Sequence, residues 1–571
     1  WLDAASGKTF ATYTPATGDV RLGTVHSAGG RIVASAGTIT SIGRISDNTL
    51  TEAANIITSD SVSLSASGNV GGPGNDEDID FDAPRLEAVS NFGSLHLRST
   101  GSVRLEGQGL RTLGTAGNIH LVTDAGDLEV AADVQAANAG NIRLEAKDRL
   151  TLSRLVASQS GFITLNGASV TASADGDVST AGNGSIVLNA FEQDILLDAQ
   201  QTLVAGNGLV SLQANRHISL GAIQTAGNVV AVAVNGDIFD NNDDTTSRRL
   251  NITAANLTLT ANAIGTPPDS FFVELPNGLE IDLTGTLTVQ AQSFAALHGN
   301  INGTGNLVAQ TLFLMSDQDL VYSTTGTPQV TNLALLADLD NNSDGTVVLQ
   351  NPVAVSGNLR LSGHDIDGGV DGIRLTAQRM LLRSGSSEDI SVRSASTSLP
   401  LLLDAATSAN LRITSAAGLH LRDLNADGSA FASSGATGQL NLTAADTIHV
   451  VDKILTAGSV NLNATGQIVI DGAIDPETIT LTASDDIQIN NAVVATHLIT
   501  VIAGTDGTGS ISSTSAGTLT ASGPGNTGEI RLTSGDVAGA IQLHGRVESA
   551  ADMTITATGG AINGTAELLA Q

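Results

Sequence analysis

The chain has no cysteine, one tryptophan, two tyrosines and only 2% aromatic residues over 571 positions. Without cysteine there is no disulfide, no thiol nucleophile and no thiolate-ligated zinc or iron–sulfur centre. With so few rings a sugar-stacking groove is not expected, and the core has to be filled by Val, Ile, Leu and Ala. Cations are scarce as well. The 25 Lys+Arg against 57 Asp+Glu leave a formal charge of −32, which repels nucleic acid and anionic lipid. Long apolar runs are missing: the longest, Val229–Val234, has six residues, whereas a spanning helix needs roughly 20. No membrane span is therefore expected. The chain starts at Trp1 with no charged-then-apolar leader and stops at Leu568-Leu569-Ala570-Gln571, so it reads as a mature product or a piece of a longer polypeptide.

What is present is small and rhythmic. Gln439-Leu-Asn-Leu442, Ser459-Val-Asn-Leu462 and Thr478-Ile-Thr-Leu481 repeat one pattern, with Leu440, Val460 and Ile479 spaced 20 and 19 apart. A second comb, Ile448, Ile468 and Ile487, keeps the same spacing. Each period therefore holds at least two short alternating strands. In the N-terminal half the unit recurs with Gly117, Gly140, Gly161 and Gly184 spaced 23, 21 and 23 apart, each opening an apolar-x-apolar triplet such as Ile119-His-Leu121. The Gly-Asn pairs are expected to supply positive φ at sharp corners. Helical spacing persists nowhere, so essentially no α-helix is expected.

Strands this short cannot close a core alone; stacked coils can, by pairing each strand with its equivalent one turn away. The fold class is all-β, a right-handed parallel β-helix of roughly 22 to 26 coils of about 19 to 24 residues. The expectation is one continuous rod over residues 1–571, with loops protruding near 71–84, 240–249, 265–278 and 338–345. Asn441 and Asn461 share a register one coil apart, where they either ladder or simply face solvent. A longer repeat is also visible. Leu64 to Pro73 resembles Leu259 to Pro267, with Val70 and Ile264 separated by 194 residues, which puts a supermodule boundary near 245. The Pro-containing excursions are candidates for lateral contacts.

These repeats, with the acidic Gly/Ala/Ser/Thr/Asn-rich composition and the lack of cysteine, resemble the shafts of filamentous-haemagglutinin-like bacterial exoproteins along nearly the whole chain. The resemblance implies a right-handed β-helix exported to the cell surface, with an adhesive role.

Chemistry is thin. The 10 histidines show no H-x-x-x-H pair, and His120, His217 and His449 read as lone strand or corner residues. Asp340-x-Asn342-x-Asp344-Gly345 matches the opening of a calcium loop, although its twelfth position is Asn351 rather than Glu. Asp240-x-Asn242-x-Asp244 has the same carboxylate spacing without the glycine. These six residues are the candidate Ca²⁺ ligands, and a solvated acidic turn is the competing interpretation.

Two function classes follow. One is a non-enzymatic extracellular rod, an adhesin shaft or fibre component, meeting surface molecules of a host or neighbouring cell (glycan or protein) and able to self-associate end to end or laterally. The other is a polysaccharide lyase or hydrolase on the same scaffold, for which Asp485-Asp486 and His544-Gly545-Arg546 are the nearest candidate groups.

Overall fold

The computed structural model describes residues 2–4, 18–38, 41–48, 54–74, 77–242, 249–324, 328–342, 344–368, 373–384, 390–394, 396–407, 410–433, 439–456, 458–525, 527–535 and 539–570. Two compact units result. The first comprises Trp1–Thr266 with Asn277–His298, the second Pro267–Pro276 with Gly299–Gln571. Each is a parallel β-solenoid, with about 22 turns in all and no helix among the described residues.

In the first unit a coil carries three short strands, shown by Ile142–Glu145, Arg149–Leu152 and Val156–Ser158. Each pairs in parallel with its counterpart one coil on: Ile142 with Ile163, Leu150 with Val170, Val156 with Val178. Stacking in register converts the apolar-x-apolar triplet into columns. Leu95, Ile119, Ile142, Ile163, Ile186, Val210 and Val229 follow one another through successive pairings, and all are buried. Each such side chain contributes about 1.5–3 kcal/mol by leaving water. β-branched residues suit the position because their restricted χ1 fits a pleated stack.

The second unit repeats the arrangement. Leu440, Val460, Ile479, Ile499 and Ile530 form one column, and Ile448, Ile468, Ile487, Ile511 and Ile541 form another. A third strand per coil, as in Ile454–Thr456 and Val493–Ala495, completes the three-sided cross-section.

Corner glycines act differently from expectation. None of Gly117, Gly140, Gly161 and Gly184 has a left-handed φ. What requires glycine is close approach: a Cβ on Gly140 would lie 2.1 Å from the Gly117 carbonyl oxygen, and one on Gly161 would lie 2.1 Å from that of Gly140. Hydroxyls cap the same carbonyls. Ser158 Oγ donates to Gly140 O at 2.7 Å and Thr180 Oγ1 to Gly161 O at 2.8 Å.

The residue after the glycine explains the asparagine. Asn118 Oδ1 accepts the Asn141 N–H at 2.9 Å, and Asn141 Oδ1 accepts the Phe162 N–H at 2.8 Å. Each corner amide thus satisfies a backbone donor that strand pairing leaves open. The longer repeat also has a physical counterpart. Gly71 and Gly265 sit at φ 70° and 75°, and their N–H groups donate to Ile45 O at 2.8 Å and Ile238 O at 2.9 Å.

Candidate functional site

Among the described residues, Asp338, Asp340 and Asp344 are the one group of three or more His, Cys, Asp or Glu side chains that can each offer one ligand atom, here a carboxylate oxygen, within 4.8 Å of the others. The turn that gathers them follows the strand Gln329–Leu336. It bends through left-handed backbone at Asp338 (φ 56°) and Asn341 (φ 55°). Gly345 is required because a Cβ there would meet the Asp338 nitrogen at 2.3 Å. Asp340 and Asp344 are exposed and Asp338 is half-buried. Asn342 turns inward on its own loop: its Nδ2 donates to Asp340 Oδ2 at 3.0 Å, and its Oδ1 accepts the Asp344 N–H at 3.1 Å. Three carboxylates this close repel one another unless a cation or water screens them, and three hard oxygen donors suit Ca²⁺. Asp338 lies two positions before the motif, and its Asp-x-Asp spacing to Asp340 was the available signal.

Asp240 and Asn242 occupy a different setting. The buried Asn251 donates from Nδ2 to Asp240 Oδ1 at 2.7 Å and to Asn242 Oδ1 at 2.9 Å. Its Oδ1 accepts the Glu280 N–H at 2.8 Å. Buried Asn55 does the same work nearer the N-terminus, donating to Asp47 Oδ1 at 2.6 Å and accepting from the Asp80 N–H at 2.9 Å. The Asp240 group is thus tied into a coil-to-coil clamp, and Asp244 lies outside the described residues.

A motif missed in the sequence is Asp423-x-Asn425-x-Asp427-Gly428, identical in pattern to 340–345. Its first carboxylate is taken up by the loop: Asp423 Oδ1 accepts the Ala426 N–H at 2.6 Å, and Oδ2 accepts the Gly428 N–H at 2.7 Å. Beneath it the buried Asp404 accepts the Leu424 N–H at 2.7 Å and shares Arg383 with Asp427. Burial raises the Asp404 pKa, against the Leu424 N–H and Arg383, which favour the anion.

The first unit also carries a polar cleft of about 300 Å³, lined by Arg31, Ser61, Arg85, Glu87, Glu106 and Gly107 among others. It exists because Leu86 pairs with Leu105 but Ala88 pairs with Leu110, so residues 106–109 bulge out of the ladder. Glu87 clamps the bulge, accepting the Gln108 N–H at 3.0 Å and the Ser63 hydroxyl at 2.8 Å while pairing with Arg31. Burial opposes its ionisation, but those three partners outweigh burial and hold its pKa below the ordinary range. Arg85 in turn meets Asp60 and, at 3.7 Å, Glu106.

No protein-family model, curated protein or solved structure matches the chain.

Of the histidines expected to be lone, His120 and His449 are each brought against another histidine by stacking, whereas His217 lies against Phe239 with ring centroids 5.5 Å apart. His96 and His120 are register partners on adjacent coils, with ring centroids 6.3 Å apart at 85°. His420 and His449 are partners at 5.3 Å and 78°, and His449 Nε2 contacts Asp471 Oδ2 at 2.7 Å. Their separations of 24 and 29 residues each equal one coil with its loop, which was the signal in the sequence. Asp486 serves a corner, accepting the Ser510 N–H at 2.8 Å. His544 instead meets Thr565 at 3.1 Å and Arg546 meets Glu548 at 3.1 Å.

Proposed function

We propose that the protein is a non-enzymatic structural element of the extracellular space or bacterial cell surface, a filamentous-haemagglutinin-like adhesin shaft or fibre component that mediates attachment or cell–cell contact. The observation that carries this reading is the use to which the polar side chains are put. Asn118, Asn141, Asn251, Ser158 and Thr180 bind the backbone of a neighbouring coil, so polarity serves stacking. Such a scaffold has few open backbone groups and short connections, which favours persistence outside the cell. The acidic surface keeps copies apart, and Ca²⁺ held by Asp338, Asp340 and Asp344 would lower that repulsion and allow self-association. Partners on this reading are glycans or proteins of an opposing cell.

The cleft at Arg31, Arg85, Glu87 and Glu106 is the one observation favouring the alternative, a polysaccharide lyase or hydrolase, because it gathers guanidinium and carboxylate groups beside a strand bulge. The two readings separate in one experiment. The purified chain is presented to cells and to an array of glycans and matrix proteins, and the glycans are then assayed for cleavage. Saturable binding without turnover is expected. Turnover that disappears in Arg85→Ala would replace the structural reading with the enzymatic one.

A further inference from the structure

Stacking sets two histidines side by side on the outer face of the second unit. His420 lies at the centre of the strand Leu419–Leu421 and His449 at the centre of Ile448–Val450, and the two are register partners on adjacent coils. Leu419, Leu421, Ile448 and Val450 are fully buried, so each ring is carried outward from an anchored triplet and strand alternation fixes the face it takes. The ring centroids are 5.3 Å apart with the planes at 78°. An ion bound at about 2.1 Å to one nitrogen of each ring, at a tetrahedral angle, places the ring centres about 5 Å apart. The pair therefore stands at chelating distance without movement of the backbone.

The hydrogen bonds leave the lone pairs that a metal needs. His449 Nε2 contacts Asp471 Oδ2 at 2.7 Å. A carboxylate only accepts, so Nε2 carries the proton of the neutral ring and Nδ1 keeps its lone pair. Asp471 is itself held in place: Asn490 Nδ2 donates to its Oδ1 at 2.8 Å, and Asn491 Nδ2 donates to its carbonyl oxygen at 2.8 Å. A carboxylate that fixes the tautomer of an imidazole from behind is the common outer support of a metal–histidine site. His420 has no hydrogen bond among the described residues, and neither of its nitrogens is sealed from water. Arg422, two positions further on, opposes a cation at His420, but it is exposed and can turn away. The other stacked pair differs. His96 and His120 have ring centroids 6.3 Å apart, and His96 Nδ1 and His120 Nε2 are buried, where a hydrated ion does not reach.

We propose that His420 and His449 form a divalent transition-metal site of the second unit, with Asp471 as the positioning residue behind His449. Two imidazoles select ions of the Ni²⁺, Cu²⁺ and Zn²⁺ class over Ca²⁺ and Mg²⁺, which take oxygen ligands. The pair leaves the remaining coordination positions to water or to a donor from outside the chain. This site is separate, in ligands and in ion preference, from the carboxylates of Asp338, Asp340 and Asp344, and it stands whether the chain is a shaft or an enzyme.

Calorimetric titration of the full chain with Ni²⁺ and with Zn²⁺, in millimolar Ca²⁺ to occupy the carboxylate loops, tests this. A saturable site is expected that His420→Gln and His449→Gln each abolish. Asp471→Asn should weaken it about tenfold, Asp471→Glu should largely restore it, and His96→Gln/His120→Gln should leave it unchanged. Binding of undiminished strength in His420→Gln and His449→Gln, or its loss in His96→Gln/His120→Gln, would overturn the proposal. If the variants do not fold, X-ray absorption of the wild type loaded with one equivalent of Zn²⁺ decides: two imidazole nitrogens at about 2.0–2.1 Å are expected, and an all-oxygen shell would overturn it.

Discussion

Asn461 donates its side-chain amide to Oδ1 of Asn441, 2.9 Å away on the neighbouring coil. The same contact recurs from Asn189 to Asn166 at 2.8 Å and from Asn235 to Asn215 at 2.9 Å. Both groups of each pair stay partly open to water, so one rung contributes modestly. Asn461→Ala is expected to cost about 1 kcal/mol, read as a lower urea midpoint with unchanged slope. A loss near zero would show that water replaces the rung without penalty.

Glycine substitutions should separate close approach from backbone freedom. In Gly140→Ala the new methyl meets the Gly117 carbonyl at 2.1 Å, and neither backbone can yield without breaking register. A loss of about 2 kcal/mol is expected. Gly101 has open space around its Cα and no left-handed φ, so Gly101→Ala should be neutral or slightly stabilising through the unfolded chain. Thermal melting of the two variants side by side checks the contrast, and equal effects would refute it.

Calcium should act on the second unit. Melting in millimolar Ca²⁺ is expected to rise above that in chelator, by about 2.7 kcal/mol when the ion is at a hundredfold excess over its dissociation constant. Asp340→Asn/Asp344→Asn should abolish the difference, whereas Asp240→Asn should leave it in place. Identical melting and light scattering with and without the ion would remove Ca²⁺ from the proposed function.

Tyr322 provides a probe of the second unit at high pH. Burial raises its phenol to about 12. The unfolded phenol ionises near 10, so the stability this group confers is complete below that pH and is lost as pH rises from 10 towards 12. The chain has two tyrosines. Absorbance at the phenolate band should show a late-titrating component that Tyr322→Phe removes, and ordinary titration of that component would contradict the burial.

The strand columns were legible in the chain itself, since Leu440, Val460 and Ile479 keep a period that only in-register stacking can use. The duplicated glycines, Gly71 and Gly265, were legible for the same reason. Candidate chemistry was less so. The motif at 340–345 could be read, and the fold adds Asp338 beside Asp340 and Asp344, while Asn342 bonds to Asp340 within the same turn. The Asp240 group matched the same spacing yet is tied to Asn251, eleven residues away and buried.

Local sequence therefore determined which residues point inward, because alternation in a strand admits only two faces and water drives the apolar one inside. Tertiary structure decided what each coil meets. The Gly140 contact with Gly117, the Asn461 rung on Asn441 and the pairing of His96 with His120 depend on the length of each coil and its loop. Loop lengths vary from turn to turn, so stacking, and not proximity along the chain, chooses the neighbours.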